Sequence, residues 1–436
     1  MKNQLLQNIE DKTFSVGILG LGYVGLPLAK AFFEAGFTVM GFDVDAKKVE
    51  LLNKGENYLK HLGEDYIAEM AKSERFTPFA DFEQLDKPDA LIACVPTPLG
   101  KHLDPDLSFV ESTTDAIAKK LRPGQLITLE STTYPGTTRD IMLPKLEVTG
   151  LKCGKDFYLA YSPEREDPGR KSHNTQTIPK LVGGIDADSC EIAVELYKYA
   201  ISEIIPVSSA EVAESAKLLE NIYRAVNIAM VNEMKVVLDR MDIDIWEVVD
   251  AAATKPFGYQ AFYPGPGLGG HCIPIDPFYL TWKAREVGLA TRFIELAGEV
   301  NHSMPDYVVG KTVWGLNQAG KSIKDAKVLV LGLAYKPDVD DVRESPSFEL
   351  IERLAKLGAN VAYNDPHVPE THEMRKYNLG MKSVSLDDID WYDVVVVSTN
   401  HAAYDWNNIA AKAQLIIDSR GAMRGVCGHD DKIIKA

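Results

Sequence analysis

An apolar run from Phe14 to Leu19 ends in Gly20-Leu-Gly22-Tyr23-Val24-Gly25, and a helical stretch from Leu26 to Glu34 follows at once. A second apolar run, Thr38 to Phe42, closes on Asp43, 18 positions beyond the last glycine. Strand, glycine turn, helix, strand and acid in this order restrict the N-terminal part to a dinucleotide-binding α/β fold. Gly20 permits the tight turn, Gly22 lets backbone approach a pyrophosphate at the helix N-terminus, and Gly25 allows close helix–strand packing. Tyr23 and Val24 lie in the same turn. Asp43 would accept from the adenosine ribose hydroxyls and repel a 2′-phosphate, so the cofactor expected is NAD. The competing reading is a glycine turn without a ligand.

Further strands are expected at Ala90–Val95 and Leu126–Glu130, ending in the loops Pro96-Thr97-Pro98 and Ser131-Thr132-Thr-Tyr-Pro-Gly136. Open α/β sheets bind ligands at such C-terminal strand ends. A short strand, Tyr158–Tyr161, leads into Ser162-Pro-Glu164-Arg165. Glu164 is either a solvent-exposed acid or a general base facing the crevice.

The next segment is helical from Ser208-Ser-Ala-Glu211, a capping box, to about Arg240. Val212, Ala216, Leu219, Ile222, Tyr223, Val226, Met230 and Met234 form a one-sided apolar stripe that fits a core-facing helix. Lys217, Asn221 and Arg224 lie on another face, with Lys217 and Asn221 one turn apart. That face is either solvated or a cation and an amide lining a pocket. Residues 263–282 then crowd four glycines and four prolines around one cysteine: Tyr263-Pro-Gly-Pro-Gly-Leu-Gly269-Gly-His271-Cys272-Ile-Pro-Ile-Asp276 opens the run. A stiff, glycine-lined loop beside a carboxylate suits a thiolate nucleophile; the alternative is a tight structural loop with an incidental thiol. Residues 290–314 are helical again, with a kink or break expected at Met304-Pro305.

The last third repeats the opening architecture with a degraded glycine motif. Strands are expected at Lys327–Gly332, Asn360–Tyr363, Asp393–Ser398 and Leu415–Asp418, and a helix at Ser347–Leu357. Lys336 and Arg343 at a strand–helix junction, and Arg420 at another strand end, suit a phosphate-bearing ligand; charges paired with Asp338, Asp340, Asp341 and Glu344 are the alternative. The fold class is therefore α/β, two Rossmann-like doubly wound domains joined by a central helical region.

Composition narrows the class. The formal net charge of −16 disfavours nucleic acid and anionic membrane as partners. No apolar run reaches the about 18 residues of a membrane span, and the N-terminus lacks a signal-type apolar core. Five scattered cysteines without a Cys-x-x-Cys pair, and nine unclustered histidines, argue against disulfides and a metal site. A cytoplasmic location is expected.

The ordered landmarks resemble the UDP-glucose/GDP-mannose dehydrogenase family over residues 14–425: the glycine motif, Cys94-Val-Pro-Thr-Pro98, Glu130-Ser-Thr132, Ser162-Pro-Glu164-Arg165, Lys217-Leu-Leu-Glu-Asn221, Gly267-Leu-Gly-Gly-His-Cys272-Ile-Pro-Ile-Asp276 and Lys336-Pro-Asp-Val-Asp-Asp-Val-Arg343. The resemblance implies an NAD-binding domain at 1–207, a central helical dimerisation region with the cysteine loop at 208–318, and a UDP-sugar-binding domain at 319–436. It implies a homodimer or higher oligomer that oxidises a sugar C6 hydroxymethyl to a carboxylate with two NAD⁺ and one water. Cys272 would be the nucleophile, Lys217 and Asn221 the oxyanion stabilisers, Asp276 a water holder, and Glu164 with Thr132 or Asp276 the hydrolytic base. Glu164, Arg165, Lys217, Asn221, Tyr263, Gly269, Lys336, Arg343 and Arg420 would hold substrate, and Gly20, Gly22, Tyr23, Val24, Gly25, Asp43, Pro96, Thr97 and Thr132 the cofactor. Gly270-His271-Cys272 resembles the branch acting on UDP-N-acetylhexosamines in surface-polysaccharide pathways, UDP-N-acetylglucosamine foremost, with the galactosamine and mannosamine epimers and UDP-glucose as alternatives. Residues 255–262 lack the arginine that many relatives carry there, leaving Lys255 or Gln260 as substitutes. Two competing classes remain: a two-electron 3-hydroxyacid-type dehydrogenase and a non-catalytic nucleotide-sugar-binding regulator.

Overall fold

The computed structural model describes residues 1–59, 63–100, 103–165, 176–270, 272–372 and 377–436. The chain divides into two compact units, Met1–Glu220 with Phe278–Ala290, and Asn221–Pro277 with Thr291–Ala436.

Among the described residues, the first unit is built on eight strands: β1 Ser15–Leu19, β2 Thr38–Phe42, β3 Phe76–Phe79, β4 Ala90–Ala93, β5 Leu126–Leu129, β6 Tyr158–Tyr161, β7 Lys180–Gly184 and β8 Ile204–Val207. They order as β3-β2-β1-β4-β5-β6-β7-β8. Every pairing is parallel except β6 with β7. The order reverses between β1 and β4, which opens a crevice at the carboxyl ends of those strands. The helix Gly25–Glu34 packs Leu26, Leu28, Phe32 and Phe33 into the core with Val16, Ile18, Val39 and Ile92.

The second unit holds five parallel strands among its described residues: β9 Lys327–Leu331, β10 Asn360–Asn364, β11 Val394–Val397, β12 Ile416–Asp418 and β13 Ile433–Lys435, ordered β10-β9-β11-β12-β13. Alternate residues of β9 and β11 face opposite layers. Val328, Val330, Val394 and Val396 meet Phe348, Leu350, Ile351 and Leu354 of the helix Pro346–Lys356. Leu329, Leu331, Val395 and Val397 meet Ile409, Ala410 and Met423. Burial on both faces explains why these strands are unbroken apolar runs.

The two sheets share one local device. Gly20, at φ +91°, donates its N–H to the Phe42 carbonyl at 2.7 Å, and Leu21 N–H goes to the Asp43 carboxylate at 2.9 Å. Gly332, at φ +84°, donates to the Asn364 carbonyl at 2.9 Å, and Leu333 N–H goes to the Asp365 carboxylate at 2.6 Å. The first glycine and the acid ending the second strand thus survive in both halves.

Three expectations are corrected. The long helix spans Ala210–Asp239 and its cap is Ser209, whose Oγ accepts from Val212 N–H, not Ser208. Of the kink or break expected at Met304-Pro305, the break does not occur: the helix Arg292–Gln318 runs through Pro305. An interior proline costs about 3 kcal/mol, and burial of Met304 and Pro305 holds the helix against it. Most consequential, the apolar stripe of the long helix does not face the core. Val212, Leu219, Tyr223, Met230 and Met234 are exposed, Leu219 by 67%, and Ala216, Ile222 and Val226 are half-buried. The buried side carries Glu214, Lys217, Asn221, Asn232 and Lys235 between small or apolar residues. Most of these polar groups have identified partners: Glu214 takes backbone N–H groups, Asn221 pairs with Asp276, Asn232 with Asn301, and Lys235 with Asp239. Partnered polar groups tolerate burial. No helix among the described residues is long and apolar enough to cross a membrane.

Asp365 tests the second sheet. Its carboxylate accepts from Leu333, Ala334, His367 and Val368 N–H and meets His401 Nε2 at 3.0 Å. Burial opposes its ionisation, but the His401 and backbone donors win and hold it below the usual carboxylate range. A depressed carboxyl adds stability that is full above its unfolded value and is lost as pH falls through the folded one. Asp365→Asn should cost about 3 kcal/mol at neutral pH, with a penalty that shrinks in acid, read by urea denaturation at both pH values.

Candidate active site

In the first unit the crevice at the carboxyl ends of β1, β4 and β5 fits a dinucleotide. A Cβ on Gly20 would lie 2.5 Å from the Cys94 carbonyl oxygen, and one on Gly25 would lie 1.9 Å from the Gly20 oxygen, so both positions demand glycine. A Cβ on Gly22 would meet nothing within 4 Å, so that backbone faces open space. Tyr23 is exposed and Val24 half-buried in the same turn. The Asp43 carboxylate accepts from Leu21 N–H, from Asp45 N–H and from Lys48 Nζ. A carboxylate has about four acceptor positions, which leaves one for a ribose hydroxyl. The loops after β4 and β5 are stitched together: Ser131 Oγ accepts from Val95 N–H at 3.0 Å and donates to the Val95 carbonyl at 2.6 Å. Thr97 Oγ1 donates to the Thr132 carbonyl at 2.7 Å. Pro96 is exposed and Thr132 half-buried at the rim. Tyr279, fully buried, donates its hydroxyl to the Thr97 carbonyl.

Glu164 follows β6 and is half-buried. Beside it, Arg165 is committed elsewhere: its guanidinium meets Glu220 at 2.6 Å and the Pro179 carbonyl at 2.7 Å. Lys217 is 5% exposed on the long helix, which removes the solvated-face reading. One turn earlier, Glu214 accepts from Gly136 N–H at 2.6 Å, Thr138 N–H at 3.0 Å and Thr138 Oγ1 at 2.7 Å. Burial outweighs those donors and pushes its carboxyl up to about 7.

In the second unit the cysteine loop is held by the C-terminal domain. Gly270 N–H donates to the Arg343 carbonyl at 2.9 Å. A Cβ on Gly269 would lie 2.6 Å from Tyr335 Cβ, one on Gly270 3.0 Å from the Tyr335 ring, one on Gly267 3.0 Å from Pro346 and one on Gly265 2.4 Å from the Arg420 guanidinium. Gly270 also sits at φ +85°, which L side chains disfavour. The glycines expected to admit a ligand therefore also admit their own domain. The Cys272 carbonyl accepts from Ile275 N–H at 3.1 Å and Asp276 N–H at 2.8 Å, and a helix begins at Asp276 and runs to Glu286. Asp276 is 1% exposed and its Oδ2 accepts from Asn221 Nδ2 at 2.5 Å. Arg224 donates to the Asn221 Oδ1. Cysteine, aspartate, asparagine and arginine are thus linked in sequence.

The remaining expected substrate residues are placed as follows. Tyr263 donates to Asp250 at 2.6 Å. Arg343 pairs with Asp341 at 2.6 Å, which is the paired-charge alternative. Lys336 is half-buried, its Nζ 5.6 Å from the Tyr335 ring centroid. Arg420 Nε donates to the Ser398 carbonyl at 2.7 Å. Gln260 accepts from Tyr223 at 3.2 Å and Lys255 is exposed. His271 lies outside the described residues. Asp338, His367 and His401 bring potential metal-ligand atoms together, but His401 Nδ1 already accepts from Asp338 N–H at 2.9 Å and its Nε2 meets Asp365. It has no lone pair to give a cation.

Sequence reasoning overlooked Glu214, Arg224 as the partner of Asn221, and Asn232. Asn232 accepts from Gly265 N–H at 3.0 Å and donates to Asn301 at 2.9 Å, which fixes the start of the cysteine loop. The signal was present: residues 214, 217, 221, 232 and 235 follow one helical stripe.

Comparisons with known proteins identify the family. Three models of the UDP-glucose/GDP-mannose dehydrogenase family match in order: the NAD binding domain at 14–201, the central domain at 211–303 and the UDP binding domain at 329–425. A UDP-N-acetyl-D-glucosamine 6-dehydrogenase of Pseudomonas aeruginosa is 34% identical over 90% of this chain and 92% of its own. Among solved structures, a UDP-D-ManNAc dehydrogenase from Pyrococcus horikoshii superposes with a TM-score of 0.87 at 31% identity, covering 97% of this chain and 99% of that one. An NDP-N-acetyl-D-galactosaminuronic acid dehydrogenase from Methanosarcina mazei gives 0.81 at 32%, covering 99% and 97%.

Two outcomes follow from the geometry. Gly269→Ala should lower turnover by about a hundredfold while the protein still folds, and Tyr335→Ala should not rescue it, because the clash is with Tyr335 Cβ. For Glu214, a raised folded value means stability that is full below its ordinary value of 4.5 and is lost as pH rises through about 7. The loss should be on the order of 3 kcal/mol; Glu214→Gln should flatten it, measured by denaturation across that range.

Proposed function

The chain belongs to the UDP-glucose/GDP-mannose dehydrogenase family and is an NAD-dependent oxidoreductase; from that premise we propose that it oxidises C6 of a UDP-N-acetylhexosamine to the carboxylate, with UDP-N-acetylglucosamine the first choice. The observation that carries this reading is the linked trio in which Asp276 N–H bonds the Cys272 carbonyl and Asn221 holds the Asp276 carboxylate at 2.5 Å. A two-electron alcohol dehydrogenase has no use for such a cysteine. The choice of hexosamine is supported by relatives whose names carry N-acetylglucosamine, N-acetylmannosamine and N-acetylgalactosaminuronic acid.

The Gly20–Gly25 turn, Asp43 and the Thr97 and Thr132 loops would hold NAD, which would supply the hydride acceptor for each of the two oxidations. The chain's own groups do the rest. Asp276 and Lys217 hold a water that takes the C6 hydroxyl proton. The Cys272 thiolate then adds to the aldehyde carbon, and the carbonyl electron pair moves onto oxygen. An amide has two N–H donors; Asn221 gives one to Asp276, and the other, with the Lys217 ammonium, is assigned to the C6 oxyanion. After the second oxidation the carbon is a thioester. Glu164 takes a proton from water, the water oxygen adds, the C–S bond breaks and the thiolate leaves. The balance is alcohol, two NAD⁺ and one water giving carboxylate, two NADH and three protons. Covalent capture keeps the reactive aldehyde from escaping.

A homodimer is part of the proposal. Tyr223, Met230, Met234 and Val237 stand 38–54% exposed on the long helix, and Phe293 is 79% exposed. Exposed apolar patches of this kind mark interaction surfaces, and a second copy of the same face is the partner that supports it.

The test is NADH formation with the UDP forms of glucose, N-acetylglucosamine, N-acetylgalactosamine and N-acetylmannosamine. An N-acetylated sugar should be preferred by at least about tenfold in kcat/KM, and faster turnover of UDP-glucose would overturn the choice. Cys272→Ser should abolish carboxylate formation while leaving the fold intact, seen by product chromatography and circular dichroism.

A further inference from the structure

At the carboxyl end of β5, in the first unit, begins a group of charges that the mechanism above does not use. Glu130, just after β5, is 1% exposed; Lys180, opening β7, is 5% exposed; Tyr197 is fully buried. Lys180 Nζ donates to Glu130 Oε2 at 2.9 Å, and the Tyr197 hydroxyl donates to Glu130 Oε1 at 2.5 Å. The ammonium also lies 5.4 Å from the Tyr197 ring centroid. A buried ion pair contributes little to stability compared with apolar side chains of similar volume, so stability is a poor reason for keeping one.

The third contact of Lys180 gives a better reason. Its Nζ donates to the Pro163 carbonyl at 3.3 Å, and Pro163 is bonded to Glu164. The neighbours of Glu164 are all held. Ser162 N–H donates to the Leu129 carbonyl at 3.0 Å and Ser162 Oγ to the Leu181 carbonyl at 2.8 Å. Arg165 is held by Glu220 and Pro179. Lys180 ties this clamp, through the Pro163 carbonyl, to the buried Glu130 carboxylate. Burial works against its ammonium, and Glu130 and Glu164 together overcome it. Among the described residues, the titratable groups that reach Glu164 are Cys94 after β4, Glu130 after β5, Lys180 on β7, and Glu220 of the long helix through Arg165. Lys217 lies one turn before Glu220 on that helix. The Cys94 thiol is pushed well up by burial first and by Glu130 next, so it stays neutral.

We infer that Glu130 and Lys180, tied off by Tyr197, are positioning residues for Glu164: Lys180 fixes the 162–165 segment through the Pro163 carbonyl, and the pair sets the balance of charge under the carboxylate that activates the hydrolytic water. The inference rests on the reading of Glu164 as that base. Removing Lys180 leaves Glu164 above an uncompensated or neutralised acid and makes it hold a proton to higher pH. Removing Glu130 leaves it above an unbalanced ammonium and makes it lose the proton at lower pH.

The experiment compares kcat and KM against pH for the full-length protein with the UDP-sugar it turns over fastest, using Lys180→Met, Glu130→Gln, the double variant and Glu164→Gln. Lys180→Met should move the acid limb of kcat up by roughly one pH unit, with kcat lowered about tenfold or more and KM little changed. Glu130→Gln should move the limb down, and the double variant should return it toward wild type. A purely structural role gives limbs that stay in place or move the same way in both single variants, and that result overturns the inference while Glu164→Gln remains inactive. Should Glu164→Gln keep wild-type kcat, the base assignment fails and the inference with it. If Lys180→Met does not fold, Glu130→Gln against the double variant, which buries no charge at either position, still decides by the direction of the shift.

Discussion

Tyr335 presses on Gly269 and Gly270, and the setting of Cys272 follows from that contact. A Cβ at either glycine would collide with it, at 2.6 Å and 3.0 Å. The Arg343 carbonyl fixes Gly270 N–H from the same loop, and Arg420 and Pro346 press on Gly265 and Gly267. The C-terminal sheet is therefore a jig for the cysteine as well as a nucleotide-binding fold. Its own loop after β9 is held in turn by Asp365, through Leu333 and Ala334 N–H. A chain of backbone hydrogen bonds and close packing leads from the second Rossmann-like core to Gly269 and Gly270 of the cysteine loop. In the proposed mechanism Cys272 is the nucleophile, and placing a nucleophile to within an ångström is worth orders of magnitude in rate.

The long helix shows how function can invert an amphipathic pattern. Its apolar stripe is turned outward and its polar stripe inward. The inward residues are tolerated because partners meet most of them: Glu214 meets Gly136 and Thr138, Asn221 meets Asp276, Asn232 meets Gly265. The outward residues leave an exposed apolar stripe, the face on which the proposed homodimer rests.

Much of the fold was legible because its signals are local. The glycine turn, Asp43, and the apolar runs that became β1, β2, β4, β5, β6, β9 and β11 depend on neighbouring residues and on burial from both faces. The helix orientation was not legible, since periodicity reports which residues share a face and not what that face meets. The same limit applies to charges. Arg165 pairs with Glu220, 55 residues on, and pairing across the fold leaves no trace in spacing; Arg343 pairs with Asp341, the local alternative that the spacing had offered. The glycines of the cysteine loop were noticed for the right property, the absence of a Cβ, but the neighbour they admit is Tyr335 as well as any ligand. Glu130 and Lys180 sit 50 residues apart and meet only when β5 and β7 enter one sheet.

The central claim is that one active site carries out two successive oxidations with the intermediate held on Cys272. It is tested most directly by counting NADH released per UDP-N-acetylhexosamine consumed to completion. The account predicts two NADH and a uronic acid product. A ratio of one, with free aldehyde accumulating, would contradict it.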